Sequence, residues 1–102
     1  MESLFEVKTT SGKVIRTTKS HWDLISKLKH PEIEGKEAEV KSCLINPVEI
    51  RKSSEDSNVY LYYSPYMQYY ICVVARHLNG DGFIITAYMT DKIKEGEVVW
   101  KK

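Results

Sequence analysis

The feature that most constrains this chain is a change of period at Asn46-Pro47. Before it, apolar residues recur at helical spacing; after it they recur every second residue, through Val48–Lys52, Val59–Ser64, Gln68–His77 and Phe83–Thr90. A period of two means strands, and their separators are turn-forming: Ser53-Ser54-Glu55-Asp56-Ser57-Asn58, Ser64-Pro65 and Asn79-Gly80-Asp81-Gly82. Such short connections join antiparallel neighbours. Asp91–Gly96 then reads as a loop or helical turn, and Glu97–Lys101 as either a last edge strand or a tail over the core.

The first half is built differently. Leu4–Lys8 and Val14–Thr17 flank Ser11-Gly12 and read as a small hairpin. Ser20 stands where an N-cap belongs, with Asp23 three residues on and Trp22, Ile25 and Leu28 following at helical spacing. His30-Pro31 ends that helix, since a residue before proline leaves the α region and proline breaks the hydrogen-bond ladder. A second helix fits about residues 35–45, with Ala38, Val40, Cys43 and Leu44 on its apolar stripe. The expected fold is α+β: an N-terminal hairpin and two short helices packed on a four-stranded antiparallel sheet. At 102 residues this is one domain.

Alternation assigns the sheet faces. One collects Val48, Ile50, Val59, Leu61, Tyr63, Ile71, Val73, Ala75, Phe83, Ile85 and Ala87, and is expected beneath the helices. The other collects Glu49, Arg51, Tyr60, Tyr62, Tyr70, Cys72, Arg76, Thr86, Tyr88 and Thr90, a composition that suits an open face. All seven tyrosines lie in the sheet half. Tyrosine is a good strand residue in its own right, but aromatic rings also stack on bases, and Arg51 and Arg76 in the same layer match phosphate oxygens.

Charge gives no general argument for nucleic acid, because 15 Lys and Arg stand against 14 Asp and Glu, a net of +1. Only a local patch could bind phosphate. Residues 1–30 carry six basic side chains against three acids, and residues 31–57 four against seven. The two cysteines, Cys43 and Cys72, lack CxxC spacing and fall in apolar runs, which reads as buried thiols in a reduced, cytoplasmic protein. No stretch is long and apolar enough to suggest a membrane span. His21, His30 and His77 have no metal-ligand spacing, His77 reading as an exposed strand end, and phosphate-loop and nucleophile-elbow motifs are absent. No cofactor or metal is expected.

The order helix, helix, sheet, with His30-Pro31-Glu32, Ile45-Asn46-Pro47, Gly82-Phe83-Ile84-Ile85-Thr86-Ala87-Tyr88 and the closing Thr90-Asp91-Lys92-Ile93-Lys94-Glu95-Gly96 with Trp100, resembles the phage-type branch of the barnase/EndoU/colicin/RelE-like nuclease superfamily. The resemblance covers about residues 19–100. It implies a metal-independent endoribonuclease, of toxin or effector type, that cleaves RNA by 2′-hydroxyl attack. A toxin in turn implies a neutralising antitoxin or immunity protein as partner. Carried over by position, it implies catalytic roles for His21, His30, Arg51, Thr86 and Tyr88. The sheet lacks the Glu/His pair of barnase-like members, and which histidine acts stays open.

Metal-free RNA cleavage needs a base for the 2′-hydroxyl, an acid for the 5′-oxygen and a cradle for the phosphorane. Histidine is the side chain that changes protonation state near neutral pH. Arg51, with Arg76, would hold phosphate, Thr86 and Tyr88 would donate hydrogen bonds, and Tyr60, Tyr62 or Tyr70 would contact RNA. Two other readings remain open: a catalytically silent RNA-binding or protein-interaction domain, and a structural protein whose open face is a dimer interface.

Overall fold

The computed structural model describes residues 3–102. The strands are β1 (Ser3–Lys8), β2 (Val14–Thr18), β3 (Glu49–Lys52), β4 (Val59–Tyr66), β5 (Tyr69–His77), β6 (Asp81–Thr90) and β7 (Glu97–Lys101). The helices are α1 (Lys19–Asp23), which runs on as a π-helical turn over Leu24–Lys29, a 3-10 turn at Pro31–Ile33, and α2 (Glu37–Ile45). All seven strands form one mixed sheet in the order β1-β2-β6-β5-β4-β3-β7.

This overturns the expected four-stranded antiparallel sheet. The four strands after Asn46-Pro47 are its centre, but the N-terminal hairpin is not a separate layer: β2 pairs with β6 in parallel, Val14 against Asp81 and Arg16 against Phe83. At the far edge β7 pairs antiparallel with β3. Parallel pairing across most of the chain leaves no local turn signal, so alternation within each strand is silent about it. The contact is nonetheless built in. Gly82 faces Ile15, where a Cβ would collide with the Arg76 carbonyl oxygen and come within 2.9 Å of Ile15 Cδ1, and Arg16 Nη2 meets Asp81 Oδ2 at 2.6 Å.

The helices cover one face. Trp22, Ile25, Ile33, Val40, Cys43 and Leu44 pack there on Ile15, Ile50, Tyr62, Ile71, Val73, Ala75, Ile84 and Ala87. The stripe on the first helix is narrower than its spacing suggests, because Leu28 is 75% exposed. The helix is capped by Thr18, whose Oγ1 accepts from the His21 amide at 3.2 Å, not by Ser20. A widened turn closes it: the His30 amide donates to the Ile25 carbonyl at 2.7 Å.

The opposite face carries a smaller cluster of Leu61, Tyr63 and Cys72, with Tyr70, Val74, Tyr88 and Ile93 against it. In β4 the expected faces are therefore exchanged. Tyr62 pairs with Val73 and Ile50 beneath the helices, and Leu61 and Tyr63 belong to the other side. In β6 the order shifts because Val74 pairs with Thr86 but Ala75 with Ile84, which leaves Ile85 as the extra residue of a β-bulge. Ile84, not Phe83 or Ile85, then enters the core.

Candidate functional site

Cross-strand pairing lays out the helix-free face as two rows of side chains. Arg51, Leu61, Val74 and Thr86 are successive partners across β3, β4, β5 and β6, and Glu49, Tyr63, Cys72 and Tyr88 form the next row. The loop from Asp91 to Gly96 folds back over this face. Between loop and sheet lies a cleft of about 560 Å³, lined by Leu61, Val74, Tyr88, Lys94, Glu95 and the Ser53–Glu55 turn, among others. Gly96 closes the loop at φ 82°, where a Cβ would come within 2.7 Å of the Lys52 carbonyl oxygen.

Tyr88 is the side chain that ties the cleft to the helix layer. β2 pairs only with the first residues of β6, so the far half of that strand has an edge without a strand partner among the described residues. The first helix and the 3-10 turn run along that edge. His21 Nε2 lies 3.0 Å from the Ile85 carbonyl oxygen at the bulge. His30 follows, its ring centroid 5.6 Å from that of Tyr88, with His30 Nδ1 3.5 Å from Glu32 Oε2. A carboxylate, an imidazole and a phenol thus stand in sequence at this edge of the sheet, and of the three only Tyr88 lines the cleft.

The phenol is a donor. Burial, and then Cys72, pushes the Tyr88 hydroxyl far above its ordinary range, so it keeps its proton at any physiological pH. Burial likewise raises the Tyr63 hydroxyl, and pushes the Cys72 thiol between them up to about 11. Cys72 is therefore no thiolate nucleophile. Cys43 is buried on the helix side, its thiol donating to the Tyr62 carbonyl at 3.2 Å.

The arginines are engaged. Arg51 Nε donates to Glu49 Oε2 at 2.6 Å and Nη1 to the Gly96 carbonyl at 3.4 Å, and the side chain is 19% exposed. Arg76 Nη2 is paired with Asp56 Oδ2 at 2.5 Å. Thr86 has its Oγ1 buried with no hydrogen-bond partner among the described residues.

Of the residues singled out in the sequence, the structure brings His30, Tyr88, Thr86 and Arg51 to one face or its rim, with Tyr70 and Arg76 on the same side. His21 sits further along the same edge. Tyr60 and Tyr62, expected on the open face, lie on the helix side. Tyr62 is fully buried, its hydroxyl 2.7 Å from His77 Nε2, and Tyr60 stacks on the same imidazole at 4.1 Å. His77 is not an exposed strand end: burial, with Lys13 adding a smaller repulsion, pushes its pKa down to about 4. Glu32, Lys94 and Glu95 were missed as site residues. Glu32 was visible only as a neighbour of His30-Pro31, and the two loop residues only as part of a charged run before Gly96.

Among the described residues no cluster of histidine, cysteine and carboxylate groups could hold a metal ion, and no helix is long and apolar enough to cross a membrane. Compared with family models, curated proteins and solved structures, the chain finds no match.

Proposed function

We propose that the protein is a metal-independent endoribonuclease whose substrate lies across the open sheet face, with His30 as the group that moves a proton at the reacting 2′-hydroxyl or 5′-oxygen. One observation carries this reading: His30 stands between the Glu32 carboxylate and the ring of Tyr88, and Tyr88 lines a cleft of about 560 Å³, within the range of small-ligand sites. The Glu32 carboxylate lies on the Nδ1 side of the ring, which leaves Nε2 as the nitrogen for proton transfer. Tyr88, held protonated, donates to a non-bridging phosphate oxygen as charge grows there. Lys94 is the basic side chain of the cleft wall, beside Glu55 and Glu95, and Arg51 reaches phosphate only by giving up its pairing with Glu49. The resemblance of the His30-Pro31-Glu32 and Thr86-Ala87-Tyr88 segments to metal-independent ribonucleases points the same way. A role as a toxin held in check by a neutralising protein belongs to this proposal.

The test is incubation with end-labelled RNAs in excess EDTA beside a triple variant, His30→Ala, Arg51→Ala and Tyr88→Phe. Products ending in a 2′,3′-cyclic phosphate, made by the wild type and absent with the folded variant, are expected. Intact RNA with folded wild type would refute cleavage. The engagement of Arg51 by Glu49 and Gly96 favours one second reading, RNA binding without cleavage, which predicts intact RNA bound with an affinity that falls as salt rises.

A further inference from the structure

The helices leave part of their own face of the sheet uncovered. Between the tip of the β1–β2 hairpin and β7 lies a trough of about 310 Å³, floored by Ile50, Tyr60, Tyr62 and His77. It is separate from the cleft, since Tyr62 and Ile50 belong to the helix-side core.

Its walls are aromatic and its one charge is positive. Tyr60 is fixed by stacking on His77, with an interplanar angle of 17°, and His77 is fixed by the Tyr62 hydroxyl. Trp100 lines the same space and is 37% exposed, an unusual cost for an indole with nothing to cover it. The hairpin contributes Thr10, Ser11 and Lys13. No acidic residue lines the trough, and Lys13 makes no ion pair among the described residues. Burial keeps the neighbouring His77 imidazole neutral near pH 7, so Lys13 alone supplies the attracting charge.

A flat aromatic surface beside a lone ammonium group and two hydroxyls matches a planar ring that carries an anion. The volume admits one such unit. We propose that this trough binds a nucleoside monophosphate, its base on the Tyr60 and Trp100 rings and its phosphate at Lys13 with the Ser11 and Thr10 hydroxyls. The site is independent of any cleavage at the open face. The same unit could be a free mononucleotide or the 5′-phosphorylated end of an RNA.

The experiment is a tryptophan-fluorescence titration, excited beyond nucleotide absorption, of the full chain with 5′-AMP, 5′-UMP, adenosine, inorganic phosphate and a 5′-phosphorylated trinucleotide. Trp22 is 3% exposed, so a change on binding reports Trp100. Saturable quenching by the mononucleotides is expected, with adenosine and the Lys13→Gln variant each about tenfold weaker and phosphate alone silent. Trp100→Phe should abolish the signal without unfolding the protein. A trinucleotide that binds more tightly than 5′-AMP identifies an RNA end as the source, and equal affinity identifies the free nucleotide. Absence of saturable quenching, or affinities unchanged by Lys13→Gln and by removal of the phosphate, would overturn the proposal.

Discussion

Replacing Tyr62 by Phe removes a single oxygen, and its cost distinguishes the two possible faces of β4. The ring is fully buried and stays so in the variant, so no cavity opens and the loss is confined to the hydroxyl 2.7 Å from His77 Nε2. A net hydrogen bond contributes about 0.5–1.5 kcal/mol, and a buried partner left unpaired adds about 1–3 kcal/mol. His77 is only partly buried and can recruit water, so about 1–2 kcal/mol is expected for the variant. For a domain of this size that is a fall in Tm of roughly 5–10 °C. Urea unfolding followed by circular dichroism measures it, with Tyr69→Phe as the control. Tyr69 is 42% exposed, and its substitution should stay within about 0.5 kcal/mol of wild type. If Tyr62→Phe is equally silent, the hydroxyl faces water, and the placement of Tyr60 and Tyr62 on the helix side is wrong.

The same pair sets a pH dependence. His77 titrates near 6.5 when unfolded and about 4 when folded, so between those values the unfolded chain binds the extra proton, and stability falls as pH drops from 6.5 towards 4. The full shift corresponds to about 3 kcal/mol, which partial exposure reduces to about 1–2 kcal/mol. Urea midpoints across that range should lose that part of their slope in His77→Gln, and identical slopes would exclude the assignment. Gly82→Ala should destabilise by about 1–3 kcal/mol, because the new methyl meets the Arg76 carbonyl and Ile15, and should speed amide exchange in β2 first. Denaturation and hydrogen exchange of that variant check both, and an unchanged β2 would mean that the parallel pairing does not depend on the missing side chain.

These outcomes bear on how far the residues alone carry the fold. The switch of period at Asn46-Pro47, the four central strands and the burial of both cysteines follow from composition and spacing, because each is a local pattern. Three features do not. The parallel docking of β2 on β6 rests on the absence of a side chain at Gly82 and on Arg16 meeting Asp81, neither of which has a period. The faces of β4 were illegible because Tyr62 and Tyr63 are both almost fully buried, at 0% and 1%, so alternation between tyrosines carries no contrast. The bulge at Ile85 inverts the alternation of β6 halfway along its length. The site was partly legible for the same reason. Arg51, Thr86 and Tyr88 lie on strand segments whose face was read correctly, and His30 was marked by the proline that follows it. Tyr60 and Tyr62 were misplaced with the rest of their strand, and the Asp91–Gly96 loop that forms the cleft wall has no periodicity to read.

The central claim is that RNA lies on the open face of the sheet. Methyl-labelled His30→Ala protein, which the proposal expects to bind RNA without cutting it, can be titrated with a short single-stranded RNA and followed by NMR. The account predicts shifts at the methyl groups of Val59, Leu61 and Val74 in the cleft, with Ile71, Val73 and Ile84 beneath the helices unmoved. Shifts confined to the helix side, or no shifts at RNA concentrations that saturate the wild-type protein, would contradict it.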